Sequence, residues 1–175
     1  EIHNYYEGQT TVQLTTMISY EYDNYRNITN FSNWGDTIGT ITTDDVIVEI
    51  TYYANRPKNM VGLKSGFTIC KPNDTNNPMR KYDFNYDTSG NLIEERIYKD
   101  NSAVDAVYNM TYDGYGNVLT FTKPADENNY RQEYDYTYDT STHTYPTSIT
   151  DAFNLTSTAT YDYRFGKPLE KTDPS

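Results

Sequence analysis

The sequence predicts an all-β protein in which repeated antiparallel β-hairpins form a curved sheet. Three observations support this class. Polar and apolar residues alternate with the two-residue period of a half-buried strand. Aromatic residues make up 15% of the 175 residues, and 20 of them are tyrosines, which suit strands. One hairpin pattern also recurs at intervals of 23 to 33 residues, and no segment carries a useful helical period.

The clearest hairpin lies in residues 81–93. Tyr82, Phe84 and Tyr86 alternate with polar residues, as in a strand with one buried face. Residues 87–90 then predict a type I turn closed by a glycine bulge. The Asp in the first position can accept backbone N–H bonds, and the Gly in the fourth can adopt a positive φ. Leu92 begins the return strand.

The same hairpin recurs after residue 90. Its second copy begins 26 residues after the first, at Tyr112, and a third begins 26 residues later, at Tyr138, with a longer loop in place of the glycine. A fourth copy begins at Tyr161. The predicted structural motif residues are Tyr86, Asp87, Gly90, Asn91, Tyr112, Asp113, Gly116, Asn117, Tyr138, Asp139, Tyr161, Asp162 and Gly166.

The N-terminal part carries a weaker version of this pattern. Residues 18–23 alternate as a strand and lead into a degenerate turn, with Arg26 in the position of the glycine. A second strand starts at Ile28. We expect Trp34 to Asp36 to break it, and residues 40–45 to form a polar connection.

The segment that follows contains the most conventional strand of the chain. Residues 45–53 alternate apolar side chains, and residues 54–59 have turn chemistry with a proline. Val61 and Leu63 run back, and Phe67 and Ile69 are expected to form a further short strand. Residues 71–78 are predicted to be a polar loop. Counting backwards, Tyr53 and Tyr22 would begin the two earlier repeats.

The organisation predicted is one continuous array in three parts. Residues 1–44 form degenerate hairpins, residues 45–79 a strand-rich repeat with a polar loop, and residues 80–175 the regular repeats. A lone hairpin cannot bury its face, so neighbouring hairpins should pair edge to edge. Strand twist would curl the sheet, and its polar faces suggest a hollow shell. The turn-like end at residues 172–175 predicts a fragment of a longer protein, whose open edges could self-associate.

Composition limits the possible functions. Low hydrophobicity and a net charge of −11 raise the alternative of disorder, but aromatic residues in alternate positions favour ordered strands. The acidic balance and the lack of a Lys/Arg cluster argue against nucleic-acid partners and anionic membranes. No apolar run is long enough to span a bilayer. The single cysteine, Cys70, excludes an internal disulfide and fits a reducing compartment or a bacterial surface protein.

The motif Tyr-Asp-x-x-Gly-Asn, at residues 86–91 and 112–117, resembles the YD repeats of the RHS-repeat family. Residues 49–55, 145–151 and 161–168 are similar to recurring strands in the RHS-type B component of bacterial Tc toxins and in SpvB-like proteins. The resemblance covers about residues 45–175, and residues 10–44 more loosely.

The resemblance implies a strip of a secreted or cell-surface bacterial β-shell. In that family the shell encloses a toxic C-terminal polypeptide or acts as a recognition module, so the implied partners are neighbouring repeats and a C-terminal domain of the same parent protein. The family also has a self-cleaving core at an Asp-Pro-x-Gly motif. Residues 173–175 match only its first half, so no self-cleaving site is assigned.

No enzyme site is predicted. His143 lies near Asp139, Ser141 and Asp151, which together offer a base, a nucleophile and an orienting acid. The loop is polar and predicted to be exposed, which favours a solvated histidine over catalysis. Asp135, Asp139 and Asp151 could be imagined as calcium ligands, but a turn role explains each of them. We therefore assign no catalytic residue, metal or cofactor.

The remaining candidate is a sugar-binding surface. Exposed aromatic rows flanked by polar residues can stack against sugar rings, and Tyr134 and Tyr136 are the possible glycan contacts. The alternative is that the tyrosines cover one another along the sheet, and this structural role is favoured. A glycan or a cell-surface protein remains a possible partner. Cys70 is expected to be a small packing residue after Ile69, and His3 to lie in a disordered end.

Overall fold

The computed structural model describes residues 1–38, 45–99 and 105–174. It confirms the all-β class: the described residues form thirteen strands and one short 3₁₀ turn, Arg56–Lys58, and contain no α-helix. The strands are β1 (Ile2–Tyr5), β2 (Leu14–Tyr22), β3 (Ile28–Asp36), β4 (Val46–Asn55), β5 (Met60–Cys70), β6 (Arg80–Tyr86), β7 (Leu92–Tyr98), β8 (Ala106–Tyr112), β9 (Val118–Ala125), β10 (Arg131–Tyr138), β11 (Pro146–Asp151), β12 (Thr156–Asp162) and β13 (Lys167–Thr172).

The order of the strands in the sheet is their order in the chain. The chain forms two compact units, Glu1–Phe84 with Ile97–Val104, and Asn85–Arg96 with Asp105–Ser175. The expected domain boundary at residue 44, the polar connection through residues 40–44, and Ser175 lie outside the described residues.

In the first unit, β1 to β5 and the start of β6 pair antiparallel in sequence order. The longest pairing joins β4 to β5, from Ile47 opposite Cys70 to Asn55 opposite Met60. Its register shifts twice, and the first shift lies where Thr51 pairs with Gly66 and Tyr52 with Lys64. This shift is a β-bulge, which adds a residue to β5.

Three expectations for this unit are wrong. The break expected at Trp34 to Asp36 is absent, because these residues extend β3 and Asp36 pairs with Thr16 of β2. The two short strands expected after Met60 are one strand, β5. His3 lies in β1 opposite Thr16, although a disordered end was expected. In each case pairing with a neighbouring strand outweighs the local sequence.

This sheet has almost no conventional core. Cys70 is the single apolar residue that is buried among the described residues, with 1% of its surface exposed. Aromatic rings on neighbouring strands cover one another instead. The rings of Phe67 and Tyr82, on neighbouring strands, stack with their centroids 4.5 Å apart, and those of Tyr20 and Phe31 lie 5.4 Å apart. Rings suit this task because their broad faces cover neighbours while a tyrosine hydroxyl stays wet.

In the second unit, β8 to β13 pair antiparallel in sequence order. The register places aromatic residues on one face. Phe121 of β9 lies opposite Met110 of β8 and Tyr134 of β10, and Tyr136 lies opposite Ile149 of β11. The Tyr108 and Phe121 rings stack at 5.9 Å.

The opposite face of this unit carries short polar side chains. One row crosses five strands through successive pairs, and its members are Thr111, Thr120, Asp135, Thr150 and Thr156. The hydroxyls of Thr111 and Thr120 lie 2.7 Å apart, and those of Thr150 and Thr156 lie 2.8 Å apart. Cross-strand hydroxyl pairs of this kind stabilise a sheet face that remains in contact with water.

Candidate functional site: the Asp turns and the ladder between repeats

The turn at residues 87–91 is held by its first residue. The backbone N–H of Asp87 donates to the carbonyl oxygen of Asn91 at 2.9 Å, and the N–H of Gly90 donates to the carbonyl of Asp87 at 3.2 Å. The Asp87 carboxylate accepts bonds from the N–H groups of Ser89 (2.7 Å) and Asn91 (2.9 Å), and from the Asn91 side-chain amide (2.9 Å). We call this five-residue arrangement an Asp turn.

Two other turns have the same geometry. In residues 113–117, the Asp113 carboxylate accepts bonds from the N–H groups of Tyr115 (2.8 Å) and Asn117 (2.9 Å) and from the Asn117 amide (2.9 Å). Residues 23–27 repeat this with equal distances, although Arg26 replaces the glycine. Arg26 has a φ of +67°, a conformation that glycine adopts at less cost.

Two further turns, at residues 126–130 and 151–155, have the same carboxylate geometry; the turn at Asp126 was not predicted, whereas a turn role was expected for Asp151. Asp126 and Asp151 each accept the N–H bonds of the residues two and four positions later, all at 2.9 to 3.0 Å. Their fourth residues, Asn129 and Asn154, have φ values of +64° and +62°. Asparagine is the residue other than glycine that most readily enters this region, and that preference was the available signal.

The longer loop after Tyr138 is organised by Asp139, which is 3% exposed. Its carboxylate accepts bonds from the backbone N–H groups of Ser141, Thr142, Thr144 and Tyr145 and from the Thr142 hydroxyl. Burial raises the pKa of the Asp139 carboxyl, but these bonds outweigh it and hold the pKa far below its usual value.

The last copy of the motif uses an arginine. Arg164 donates to the Asp162 carboxylate from Nε at 3.0 Å and from Nη2 at 2.8 Å, and this fork holds the pKa of Asp162 below its usual value. The N–H of Gly166 donates to the Asp162 carbonyl at 2.8 Å. A Cβ atom on Gly166 would lie 2.7 Å from the Tyr145 hydroxyl, whose ring stacks on Tyr161 at 4.9 Å.

The tyrosine of the motif connects one repeat to the preceding one. The Tyr112 hydroxyl donates to the carbonyl oxygen of Leu92 at 2.8 Å, and the Tyr138 hydroxyl donates to that of Val118 at 3.0 Å. Each carbonyl belongs to the residue directly after the asparagine of the preceding Asp turn. In the first unit, Tyr52 reaches Ile28, the residue after Asn27, in the same way at 2.8 Å.

The contact between Tyr52 and Ile28 shows that one repeat begins one residue earlier than expected. Tyr53 was expected to begin the repeat, but its neighbour Tyr52 makes the connection to Ile28. The pKa values of these tyrosine hydroxyls are raised, first by burial and then by nearby negative charge. For Tyr112 that charge is Asp87 of the preceding turn, and for Tyr52 it is Asp23. The pKa of Tyr86 is raised by burial.

The asparagine of the motif also reaches the next repeat. The Asn117 amide donates to the carbonyl of His143 at 2.7 Å, and the Asn27 amide donates to that of Val61 at 2.7 Å. The Asn91 side chain also lies close to the following turn, because a Cβ atom added to Gly116 would be 3.9 Å from the Asn91 amide oxygen. We call these tyrosine and asparagine contacts the ladder.

The histidine considered for catalysis is part of these contacts. The His143 ring stacks on the Tyr115 ring with centroids 4.0 Å apart and an angle of 8°, so it is half-buried and the expected solvated side chain is incorrect. Ser141 contributes its N–H to Asp139, and Asp151 holds its own turn. These bonds place Asp139 and Asp151 in turns, as expected. The turn role expected for Asp135 is wrong, because Asp135 lies within β10 and pairs with Thr120 and Thr150 of the neighbouring strands.

The candidate glycan contacts lie on the aromatic face of the second unit. Tyr134 and Tyr136 alternate with exposed residues in β10 and are half-buried. The Tyr134 hydroxyl accepts a bond from Lys123 at 3.3 Å, and the Lys123 ammonium lies 5.0 Å from the centre of its ring.

Cys70 ends β5, and its thiol donates to the Thr75 carbonyl at 3.7 Å. Among the described residues, no three His, Cys, Asp or Glu side chains converge on a possible metal position. The same ranges contain no helix with the length and apolar character needed to cross a bilayer.

No family model and no curated protein matches the chain. Solved structures do match. The crystal structure of TcdB2–TccC3 with Cdc42 gives a TM-score of 0.58 at 18% identity over 95% of this chain, and that of TcdB2–TccC3–TEV gives 0.61 at 18% over 95%. The Photorhabdus luminescens Tc holotoxin pore, with a mutation in TccC3, gives 0.50 at 16% over 96%. The chain resembles Tc toxin chains in fold.

This resemblance has a defined extent. The chain spans 9% to 10% of the length of the matched chains. At 16% to 18% identity the likeness shows the fold alone. The comparison therefore shows that this chain shares the fold of about a tenth of each matched chain.

Proposed function

We propose that the chain is a non-enzymatic structural segment of a larger bacterial RHS/YD-repeat protein that is secreted or displayed at the cell surface. In this role it forms part of a β-shell that encloses or presents another polypeptide of the same toxin-related parent. Its partners are the neighbouring repeats and the polypeptide inside the shell.

The ladder is the observation that carries this proposal. Tyr112 and Asn117 direct their polar groups at the backbone of adjacent repeats, and Tyr138 and Tyr52 do the same. In a repeat array, stability depends on such interfaces between nearest neighbours rather than on one central core. A wall that can be extended repeat by repeat suits an enclosing shell.

The fold similarity to Tc toxin chains supports the same role. Carbohydrate recognition by Tyr134 and Tyr136 has less support, because both rings are half-buried and the Tyr134 hydroxyl already accepts a hydrogen bond from Lys123. An enzymatic role has no support among the described residues, since His143 stacks on Tyr115, and Asp139 and Asp151 hold turns.

Limited proteolysis of the parent protein tests the proposal. If this segment is shell wall, the polypeptide that follows the repeats should resist protease in the intact parent. Changing Tyr112, Tyr138 and Tyr52 together to Phe should expose it, because the interfaces between repeats weaken. Changing the exposed Tyr130, Tyr115 and Tyr163 to Phe is the matched control. Equal protease sensitivity of the polypeptide with and without the repeats would contradict the enclosing role.

A further inference from the structure

We propose that a cavity between two Asp turns of the second unit binds a small ring compound that carries a carboxylate, either an acidic sugar or an aromatic acid. The cavity lies beside the turns at residues 126–130 and 151–155 and has a volume of about 610 Å³. Sites for small molecules commonly measure roughly 300 to 1,000 Å³. This site is separate from the ladder and does not depend on the structural role proposed above.

Two exposed aromatic rings line the cavity. Tyr130 is 75% exposed and Phe153 is 73% exposed, so neither ring packs fully against the protein. Large aromatic side chains that remain in water beside a cavity often mark binding sites, because a ligand can cover their faces. A flat ring, or the C–H face of a sugar, has the shape to do this.

Two cations line the same cavity. The Lys123 ammonium donates to the Gln132 side-chain oxygen at 3.1 Å, in addition to its contact with Tyr134. Arg131 donates from Nε to the carbonyl of Lys123 at 2.9 Å and from Nη2 to that of Val107 at 2.6 Å. These bonds hold both groups in place while leaving their charges unneutralised.

The surroundings make this positive charge unusual. The chain has a net charge of −11, yet no carboxylate of the described residues forms an ion pair with Lys123 or Arg131. Asp126 also lines the cavity, but its carboxylate oxygen accepts the N–H bonds of Asn128 and Tyr130, both at 2.9 Å. The lining therefore carries two fixed cations and one carboxylate, and this excess of positive charge can attract an anion.

These features together define the ligand. A carboxylate would bond to the Lys123 ammonium and to the exposed N–H groups of Arg131, a charge-assisted contact. The attached ring would cover Tyr130 and Phe153, and the Gln132 amide could bond to a hydroxyl. An acidic sugar and an aromatic acid share this chemistry, and the test below separates them.

Ligand titration of the purified 175-residue chain by NMR provides the test. The probes are a glucuronate-containing disaccharide and 2-naphthoate, with their neutral counterparts, a glucose disaccharide and 2-naphthalenemethanol. We expect at least one acid to bind about tenfold more tightly than its neutral counterpart, and more weakly as salt is added. Binding of the sugar acid alone or of naphthoate alone identifies the source. Failure of both acids to bind, or equal binding of the neutral compounds, overturns the proposal.

Variants locate the binding. Phe153→Ser should weaken binding of the acid about three- to tenfold, because the contact between the ligand ring and Phe153 is lost. Phe165→Ser is the matched control, because Phe165 is 70% exposed on another hairpin and lies outside the cavity. Lys123→Gln should remove the preference for the acid, whereas Lys167→Gln should preserve it. Equal weakening by Phe153→Ser and Phe165→Ser, or an acid preference retained in Lys123→Gln, would also overturn the proposal.

Discussion

The Tyr112 hydroxyl donates a hydrogen bond to the carbonyl oxygen of Leu92, 20 residues earlier in the chain, at 2.8 Å. Tyr138 and Val118 have the same relationship, also 20 residues apart, at 3.0 Å. The carbonyl belongs in both cases to the residue that follows the Asp turn. The first residue of the motif in one repeat thus contacts the residue that directly follows the motif in the preceding repeat, which gives the tyrosine a role at the boundary between repeats.

The ladder bond of Tyr112 should contribute to stability. Tyr112→Phe keeps the ring and removes the donor, so we expect a loss of about 1 kcal/mol, the net value of a typical hydrogen bond. Urea unfolding followed by circular dichroism measures this loss. Tyr130→Phe is the control, because Tyr130 is 75% exposed, and its effect should stay within about 0.5 kcal/mol. Equal effects of the two changes would argue against the ladder.

The turn at residues 113–117 contains two glycines that should respond differently. Gly116 has a φ of +88°, so Gly116→Ala should destabilise the protein by about 1 to 2 kcal/mol. Gly114 has open space around it and no positive φ, so Gly114→Ala should be neutral or slightly stabilising. Thermal unfolding of both variants gives the comparison. A Gly114→Ala loss as large as that of Gly116→Ala would show that strain at φ is not the cause.

Gly66 allows β5 and β6 to approach closely. A Cβ atom there would lie 2.7 Å from the carbonyl oxygen of Tyr82 and 2.9 Å from Oδ1 of Asp83. We expect Gly66→Ala to cost about 1 to 3 kcal/mol, as overpacking does, because a backbone atom must move. Gly62→Ala is the control, since its Cβ would meet only Asn27 Oδ1, at 3.4 Å. Chemical unfolding of the two variants should rank them in this order.

Acid should weaken the loop that Asp139 organises. The pKa of Asp139 is lowered in the folded protein, so the stability it contributes is complete above the ordinary aspartate pKa of about 3.9 and is lost as the pH falls towards the folded value. Asp139→Asn should have a lower unfolding temperature than the unsubstituted chain at pH 7. The difference between the two unfolding temperatures should shrink as the pH falls below about 3.9.

The control for that experiment is Asp135→Asn, which changes an exposed carboxylate in β10, the strand that leads into this loop. The unfolding temperature of Asp135→Asn should equal that of the unsubstituted chain from pH 7 to pH 2. If the unfolding temperatures of Asp139→Asn and the unsubstituted chain differ by a constant amount from pH 7 to pH 2, the role assigned to the carboxylate is contradicted.

Local chemistry made the turns predictable. An Asp, a left-handed residue and an Asn within five residues determine the geometry of residues 87–91 and 113–117, because every bond that closes the turn lies inside the segment. Where Asn129 replaces glycine the same turn forms, but a pattern that requires glycine in the fourth position does not detect it.

The sequence by itself therefore determined the all-β class, the hairpin period and the role of Asp87 and Asp113. The tertiary structure decided the partners of the tyrosines, since Tyr112 and Leu92 meet only when neighbouring hairpins pair. It also decided that Tyr52 replaces Tyr53, beside the β-bulge that shifts the register of β4 and β5. The physical reason is the same for each: period and turn chemistry act over a few residues, whereas strand register brings together groups 20 or more residues apart.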